Sequence, residues 1–476
     1  MKDVPPKILK TFERMKKEEP YHIELKFIGN NYYIYSATSE WDKSEKKVRK
    51  ITEYIGSIDR DGIFKKKRMR SHIQESMREV FEYGNCALAY HLIEDIEDLL
   101  AETTPYCREI IVSAIIKAID PKPLRLFASR WEKFYLSKQI DVSLSPKHLS
   151  SILQNIGKDI HTWYDLFSKL ATKDDLLLYD LTSVITYSKN IKLAEKGYNA
   201  DHEYLDQIGV IMAFSSITKL PVGVDVFYGS MKDITTIRDF IERFPKKDFG
   251  FIFDRGFSSY KLLEDLMEWG IHYMVPLRKN STLIDIRWMR WKGPFLYRDK
   301  PVRRGTKKTE YGTLYAFEDP LNKGEEEQSL LRKVESNTIS MAEFEQKCKL
   351  AGVFCLISDM TKDGFDMFDL YKGREDVEMA FDAMKNELES DKTYLRSDET
   401  VRGYFLVTFL AMRIYFKILK RLREKKLTSK ISVDEVLFEL SKVTKIVEAN
   451  GREYFTKIPK SARRMSSLFP EALPMG

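Results

Sequence analysis

The strongest constraint on the fold of this 476-residue chain is an ordered change of hydrophobic pattern between residues 176 and 278. Short apolar runs with strand character come first, and apolar segments with helical spacing then alternate with further strands. The elements predicted are three strands, a helix, a strand, a helix and a strand, at residues 176–183, 204–216, 221–229, 233–244, 249–256, 258–270 and 272–278. This order predicts an α/β domain with a mixed sheet and helices on its faces.

Two aspartates directly follow apolar runs of this domain. Asp180 follows LLLY and Asp254 follows FIF, so each is predicted to lie where a strand ends. Carboxyl ends of strands line the ligand crevice of an open α/β sheet, and two acids there can share a cation. A lone strand-end aspartate is also a common turn residue, so both interpretations stay open. Asp225, inside a strand, and Asp233, at a helix N-cap position, are assigned structural roles.

A third acid lies in the segment LYKGREDVEMAFDAMKNELES. At about 100° per residue, Tyr371, Arg374, Glu378 and Lys385 fall within roughly 60° of one another on a helix. An apolar stripe adjoins them and would seat the helix on the sheet. The spacing alone is equally compatible with an amphipathic helix that has a salt-bridged border.

The spacing Y-x2-R-x3-E-x6-K resembles the signature of the DDE transposases of the IS-four family of insertion sequences. The stretches LLLYDLTS, LPVGVDVFYGSMKD, FIFDRGFSS and VRGYFLVTFLAM are similar to the same family, so the resemblance covers residues 170–415. It implies an RNase H-like mixed-sheet core over residues 171–420, whose element order agrees with the predicted one. It also implies a β-rich insertion at about 280–350, after which the core is expected to resume at 351–359.

The resemblance implies a role for each residue of the constellation. Asp180, Asp254 and Glu378 are expected to be catalytic and to hold two Mg²⁺ ions, for which Mn²⁺ can substitute. Hard carboxylate oxygens suit magnesium, and a pair of ions about 4 Å apart can activate the attacking oxygen and neutralise the leaving one. Tyr371, Arg374 and Lys385 are expected to bind transposon-end DNA.

The function implied is a DNA transposase that cleaves insertion-sequence ends and joins them to target DNA, in cut-and-paste transposition. Double-stranded DNA, both terminal inverted repeats and target, is the expected partner, and a homodimer is expected in the DNA complex. A displaced base could stack on Trp288 or Trp291, although packing within the insertion is the favoured role for these tryptophans. Two alternatives stay open: an RNase H-like nuclease without strand transfer, and a catalytically silent, transposase-derived DNA-binding protein.

The flanking regions are predicted to form separate parts. Residues 1–65 are expected to form a small β-rich region with a hairpin around Gly29-Asn30-Asn31, and residues 66–170 a helical, candidate DNA-binding domain. Residues 421–476 are expected to form a C-terminal helical tail. Within the helical region, Ser145-Pro146 has the pattern of a helix start and Gly157 that of a helix end.

Charge and cysteine content narrow the class of protein. The net charge is +7, and basic clusters at Lys65–Arg70, Arg303-Arg304 with Lys307-Lys308, and Lys417–Lys426 are candidate phosphate contacts. The four cysteines include no C-x-x-C pair, so neither a zinc site nor a disulfide framework is expected. With no signal-like or membrane-spanning apolar segment, a soluble intracellular protein without membrane contact is expected. The resemblance to insertion-sequence transposases implies a prokaryotic cytoplasm and association with the nucleoid.

Overall fold

The computed structural model describes residues 4–29, 31–42, 47–67, 78–198, 204–229, 234–244, 249–285, 290–390 and 392–473. The chain divides into two compact units: a small unit of residues 1–79 with 447–453, and a large unit of residues 80–446 with 454–476. In the described residues the helices are α1 (Pro6–Glu18), α2 (Gly84–Ile93), α3 (Glu97–Thr103), α4 (Cys107–Ile119), α5 (Phe127–Trp131), α6 (Pro146–Lys158), α7 (Ile160–Leu170), α8 (Ile234–Glu242), α9 (Tyr260–Glu268), α10 (Pro320–Glu335), α11 (Met341–Cys348), α12 (Gly364–Lys372), α13 (Glu375–Asp382), α14 (Asp398–Glu424), α15 (Val433–Ser441) and α16 (Lys460–Ser466).

The strands of the same residues begin in the small unit and continue through the large one. They are β1 (Ile23–Ile28), β2 (Asn31–Asp42), β3 (Lys47–Ile58), β4 (Phe64–Lys66), β5 (Arg78–Glu82), β6 (Leu176–Thr186), β7 (Glu195–Tyr198), β8 (Tyr204–Ser215), β9 (Pro221–Tyr228), β10 (Gly250–Ile252), β11 (Tyr273–Pro276), β12 (Arg290–Tyr297), β13 (Lys300–Thr309), β14 (Gly312–Glu318), β15 (Val353–Ser358), β16 (Lys392–Thr393), β17 (Thr444–Glu448) and β18 (Glu453–Phe455).

The small unit is an antiparallel sheet with strand order β1-β2-β3-β4 and one helix on it. Gly29 has a φ of +61°, which glycine adopts without steric cost, and β1 and β2 pair on either side of it. The predicted hairpin is therefore confirmed, and β3 supplies the expected third strand; Asn30 lies outside the described residues. The buried core is formed between α1 and the sheet by Ile8, Phe12, Met15, Ile23, Ile34 and Ile58.

The large unit is built on a mixed sheet, as the hydrophobic pattern predicts. Strand order in the described part is β12-β13-β14-β15-β11-β10-β6-β8-β7, with β9 paired to β8 and β16 to β6. β8 is antiparallel to both β6 and β9, whereas β10 and β11 run parallel to β6. The α/β prediction is confirmed at this level.

The region between β11 and β15 departs from the sequence interpretation. The high charge density of its sequence predicts strands that are separate from the central sheet. In the structure β14 pairs with β15 and β13 pairs with β14, so these strands extend the central sheet. Most of the residues of β14 that pair with β15 are buried. In the sequence, charged residues on both sides make this short apolar run difficult to recognise as a core strand. The helices α10 and α11, which have no buried residues, were not predicted. The expected return of the core at 351–359 is confirmed by β15, which pairs with both β14 and β11.

Close packing of α6 against α14 joins the helical region to the core. The predicted start of α6 is confirmed, since Ser145 accepts a hydrogen bond from the amide of His148. The predicted role of Gly157 is wrong, because α6 continues through it to Lys158. A Cβ at Gly157 would lie 1.8 Å from the carbonyl oxygen of Glu399, and one at Gly403 would lie 2.0 Å from that of Leu153. The two glycines therefore permit a backbone approach that any side chain would block.

All four cysteines lie in the described residues and are free thiols, in agreement with the expectation of no disulfide framework. In the part of the chain that the structure describes, we find no helix with the length and apolar character that crossing a membrane requires.

A buried polar cluster behind the sheet confirms the structural role predicted for Asp225. Its side chain is fully buried on β9, accepts a hydrogen bond of 2.7 Å from the hydroxyl of Tyr164, and forms an ion pair with Arg243. The amide of Val226 donates to its second oxygen at 2.7 Å. Burial raises the pKa of Asp225, and the paired arginine opposes that shift. Asp233 lies outside the described residues.

Substitution of Asp225 by alanine should lower the free energy of unfolding by about 3 to 5 kcal/mol, because it leaves the charge of Arg243 without its buried partner. Tyr164→Phe, which removes only one hydrogen bond, should cost about 1 to 2 kcal/mol. The measurement is urea unfolding followed by circular dichroism. The matched control is Asp206→Ala at an exposed position of β8, expected to change stability by no more than about 0.5 kcal/mol. Equal effects at Asp225 and Asp206 would contradict this assignment.

Candidate active site

The register of two parallel strands places Asp180 and Asp254 side by side. β10 pairs with β6 from Gly250↔Leu176 to Ile252↔Leu178, and each aspartate lies two residues beyond the last pair. Since side chains alternate along a strand, equal spacing from a paired position puts both acids at the same level and on the same face. The acids that the sequence predicts to be neighbours are therefore neighbours.

The position of Asp180 within its strand differs from the prediction. β6 does not end there but continues to Thr186, paired with β8 through Asp180↔Met212. The pairing with β10, in contrast, stops at Leu178, so β6 loses its neighbour on that side just before the acid. Asp254 lies just beyond its strand, separated from Ile252 by Phe253, and its carboxylate caps the short turn Arg255–Phe257 by accepting from the amide of Gly256.

The segment with the third acid is not the single regular helix that the spacing predicts. α12 ends at Lys372 and α13 begins at Glu375, with the tight hydrogen bonds Arg374 N to Tyr371 O and Val377 N to Arg374 O between them. Residues Ala383–Glu387 then form a wider π-helical turn. Because an extra residue in a turn rotates the positions after it, Lys385 does not keep the angle to Glu378 that regular helical spacing predicts. That lysine is half-buried within the π-helical turn.

Arg374 stands at the centre of the candidate site. Its Nη1 donates to Asp254 Oδ1 at 2.7 Å, and its Nη2 lies 3.5 Å from Asp180 Oδ2 and 3.5 Å from Glu378 Oε1. Three carboxylates from β6, the end of β10 and α13 thus converge on a single guanidinium. Glu378 contacts the same cation as the two aspartates and does not point away from them.

Burial and charge act in opposite directions on these groups. The side chain of Arg374 is 10% exposed and that of Asp180 18%, against 38% for Asp254 and 62% for Glu378. Burial raises the pKa of Asp180 to about 6; Arg374 opposes the shift, and the other two acids add to it. Burial also works to lower the pKa of Arg374, but Asp254 and Asp180 outweigh it, so the net shift is upward.

Tyr371 supports the arginine from the side. Its hydroxyl oxygen lies 3.4 Å from Arg374 Nη1, and the guanidinium lies 5.8 Å from the centre of its ring. The ring in turn packs on Phe354 of β15, with centroids 4.5 Å apart. Burial raises the pKa of the Tyr371 hydroxyl, so this group stays neutral at physiological pH. Three of the four residues of the Y-R-E-K spacing therefore lie together.

Two anchors that sequence reasoning missed hold the Glu378 segment in place. Asp376 is buried and binds Arg423 of α14 at 2.6 Å and Lys219 at 3.5 Å. Further along the chain, the buried Lys117 donates to the carbonyl oxygen of Leu388 at 2.9 Å, just past the π-helical turn. The only sequence signal for Asp376 was its place in the acidic run EDVE, and nothing in the sequence links Lys117 to this segment.

The other candidates divide between structural roles and regions outside the described residues. Trp291 is partly buried and stacks with the guanidinium of Arg303 at 4.9 Å, in agreement with a packing role; Trp288 lies outside the described residues. Several members of the basic clusters already bind acids: Arg303 with Glu318, Arg304 with Asp363, Lys417 with Asp95, Arg421 with Glu471 and Arg423 with Asp376. Of the cluster 65–70, residues 68–70 lie outside the described residues.

Within the described ranges, no group of three or more histidine, cysteine, aspartate or glutamate side chains has the spacing of a metal site. The three acids are instead arranged around the guanidinium of Arg374, which contacts each of them. Their chemistry is nevertheless that of a hard-cation site, since every donor is a carboxylate oxygen.

The raised pKa of Asp180 predicts a specific pH dependence of stability. The folded protein holds this proton more tightly than the unfolded chain does, so Asp180 costs no stability below about pH 4 and its full cost appears above about pH 7. Replacing it with asparagine removes the cost. In EDTA, the free energy of unfolding of Asp180→Asn relative to wild type should therefore rise by about 2 to 3 kcal/mol from pH 4 to pH 8.

The measurement is urea unfolding of both proteins across that pH range. Asp206→Asn, the same chemical change at an exposed position, is the control and should run parallel to wild type. A difference between Asp180→Asn and wild type that stays constant with pH would contradict the assignment of a raised pKa.

Of the comparisons with known proteins, the match to a family model falls on the region of the three acids. No protein of curated function matches it. One solved structure to which it is similar is the cryo-EM structure of a piggyBac transposase synaptic complex with hairpin DNA, at 12% identity and a TM-score of 0.37, covering 73% of this chain and 70% of that one. The family model described as "Transposase DDE domain" matches residues 171–414, which is 244 of 476 residues and includes all three acids. The chain therefore belongs to the family of proteins with a transposase DDE domain.

Proposed function

We propose that this protein is a DNA transposase of the IS-four family, which cleaves the ends of an insertion sequence and joins them to target DNA. The observation that carries the proposal is the convergence of Asp180, Asp254 and Glu378, 198 residues apart in the chain at the extremes, on one cationic centre. Their place inside the matched DDE domain supports the same conclusion.

An RNase H-like core is part of this proposal. Apart from the short β7, the order of elements from β6 to β11 is three strands with antiparallel neighbours, then a helix, a strand, a helix and a strand, with the last two strands parallel to the first. This agrees with the order that the family resemblance implies. The pairing of β10 with β6 stops at Leu178, so β6 has no β10 partner beside Asp180. In such a sheet both aspartates lie at the edge where substrate can approach.

The three acids fit divalent metal ions by donor type and by charge. Burial raises the pKa of Asp180, and the repulsion among three carboxylates that share a site adds to that shift. Asp180, Asp254 and Glu378 would hold two Mg²⁺ ions, which would supply charge to activate the attacking oxygen and stabilise the leaving one. Mn²⁺ has a similar preference for oxygen ligands and is expected to substitute.

Arg374 would then exchange one set of anions for another. In the structure its guanidinium neutralises the acids, and its planar fork is equally suited to the oxygens of a phosphate. We infer that DNA phosphate takes over this arginine while metal takes over the carboxylates, with Tyr371 guiding the side chain from its place on Phe354. Lys385 is proposed to supply a further positive charge to the DNA.

The chemistry proposed has two stages. Water attacks the phosphorus at the element's end, a P–O bond forms, and the bond to the 3′-oxygen breaks, leaving a free 3′-hydroxyl. That hydroxyl then attacks a phosphodiester of the target, so that one P–O bond replaces another and the target strand's 3′-oxygen leaves with a proton. Pairing of two ends would need two copies of the chain on DNA, so we propose a homodimer there. The cytoplasm of a prokaryote, at the nucleoid, is the proposed location.

The proposal is tested with duplexes copied from the DNA on either side of the reading frame, supplied as pre-cut ends together with a plasmid and MgCl₂. We expect joined products on a gel, and we expect Asp180→Ala, Asp254→Ala and Glu378→Ala each to reduce joining by at least about 10³-fold, because each removes a metal ligand. The control is Asp206→Ala at an exposed position of the same sheet, which should retain wild-type joining.

The same assay separates the alternatives. Cleavage without joining would identify a nuclease and overturn the strand-transfer part of the proposal. End binding without cleavage by the wild-type protein, with MgCl₂ or MnCl₂, would identify a silent DNA-binding protein.

Removal of Arg374 should change how the protein responds to metal. In EDTA, Arg374→Gln should unfold at a lower temperature than wild type, because three carboxylates lose their shared counter-ion. In millimolar MgCl₂ the variant should gain more stability than wild type does, because metal no longer competes with the guanidinium. The readout is thermal unfolding, with Arg298→Gln as the control, since that exposed arginine pairs with Glu375 on the surface, at 2.9 Å. An identical gain in both variants would contradict the exchange.

A further inference from the structure

The open face of the small unit's sheet has the composition of a nucleic-acid surface. Ile34 faces α1, and because side chains alternate along a strand, its neighbours Tyr33 and Tyr35 face the other way. Lys26 is paired with Tyr33, and Tyr54 with Tyr35, so they share this open face. The ring of Tyr54 lies 5.8 Å from that of Tyr33 and 5.6 Å from that of Tyr35, and Lys26 Nζ lies 4.6 Å from the centre of the Tyr35 ring.

Further lysines border these tyrosines on the same face. Lys50 is paired with Ser39 and Lys65 with Ser57, and their side chains are 56% and 68% exposed. The acids in contact with them are Glu24, which forms an ion pair with Lys50, and Asp59, which lies 3.3 Å from Lys65. Tyrosine rings between exposed lysines offer stacking or hydrogen-bonding groups beside phosphate-binding charges.

The distribution of charge along the chain points to a polyanion at this unit. Residues 1–79 contain 19 lysine and arginine residues and 13 aspartate and glutamate residues, a net charge of +6 out of +7 for the whole chain. The excess positive charge of the protein is therefore concentrated in one sixth of its length. Long-range attraction of a nucleic acid would act mainly on this unit.

The shape of the sheet favours a duplex. β1 pairs with β2 only from Asn31 to Ser36, whereas β2 and β3 remain paired as far as Asp42↔Lys47. Among the residues that the structure describes, β2 and β3 therefore continue beyond Ser36 as a two-stranded ribbon about 20 Å long. Near its end the paired Trp41 and Val48 are 60% and 64% exposed. A two-stranded ribbon fits the major groove of B-form DNA, which is about 12 Å wide.

We propose that the small unit binds double-stranded DNA through this open face, with the β2–β3 ribbon in the major groove. Lys26, Lys50 and Lys65 contact phosphates, and Trp41 with Val48 makes apolar contact with base edges. The inference rests on the proposed function in taking the polymer to be DNA. It adds a second candidate DNA-binding surface, besides the helical region of residues 66–170 that the sequence already suggests.

The test is fluorescence anisotropy of the full-length protein with a labelled duplex from the DNA beside the reading frame, over a series of salt concentrations. The variant Lys26→Ala/Lys50→Ala/Lys65→Ala should bind at least about tenfold more weakly near 0.15 M salt. It should also lower the slope of log K against log salt by about 2 to 3, because each phosphate contact contributes about 0.9.

The matched control is Lys10→Ala/Lys16→Ala/Lys17→Ala, which removes the same charge from exposed positions of α1 on the covered side of the sheet. It should bind within about twofold of wild type. Equal losses in the two triple variants, or no loss in either, would overturn the proposal. Circular dichroism and thermal unfolding of both variants verify that the small unit remains folded.

Two further comparisons decide the polymer and the link to catalysis. Duplex DNA should bind more tightly than single-stranded DNA or RNA of the same sequence, and tighter binding of RNA would contradict the ribbon-in-groove geometry. If binding depends on the three lysines but the wild-type protein neither cleaves nor joins DNA, the proposed function fails and this inference stands. If the wild-type protein joins DNA but the two triple variants bind alike, this inference fails and the proposed function stands.

Discussion

The candidate site depends on balancing the repulsion of three carboxylates. The parallel ladder of β6 and β10 brings two of them to the same level of the sheet, and α13 adds the third. Without a cation between them this arrangement would be unfavourable, because burial first, and the two neighbouring acids in addition, disfavour the charged form of Asp180 and raise its pKa. Arg374 supplies that charge from within the same segment as Glu378, so one helix contributes both an acid and its counter-ion.

Contacts of the Glu378 segment with other helices keep the three acids and Arg374 in position. Asp376 ties the start of α13 to α14 through Arg423, and Lys117 of the helical region binds the backbone just beyond the π-helical turn. Close approach of α6 and α14 at Gly157 and Gly403 fixes the helical region against the same long helix. The helical region therefore supports the geometry of the site, whatever its own contacts with DNA are.

Function is divided along the chain by charge as well as by fold. The large unit is nearly neutral overall and concentrates its chemistry in a few buried or half-buried ionic groups, whereas residues 1–79 carry most of the net positive charge. A nucleic-acid enzyme needs both: long-range attraction that is insensitive to geometry, and short-range contacts that depend on it. Under the two proposals made above, the two properties would reside in different units.

Local pattern in the sequence was sufficient for the hairpin at Gly29, for β6 and β8 to β11, and for the cap at Ser145, whereas the resemblance to a known family singled out Asp180, Asp254 and Glu378. These features depend on alternation, helical spacing and motif spacing, which neighbouring residues express. The tertiary structure alone decided that Asp180 lies within a longer strand, that the Tyr371–Lys385 segment is tightened at Arg374 and widened at 383–387, and that β13 and β14 extend the central sheet. It also placed Arg374 among the acids, because contacts between groups more than a hundred residues apart leave no periodic trace in the sequence.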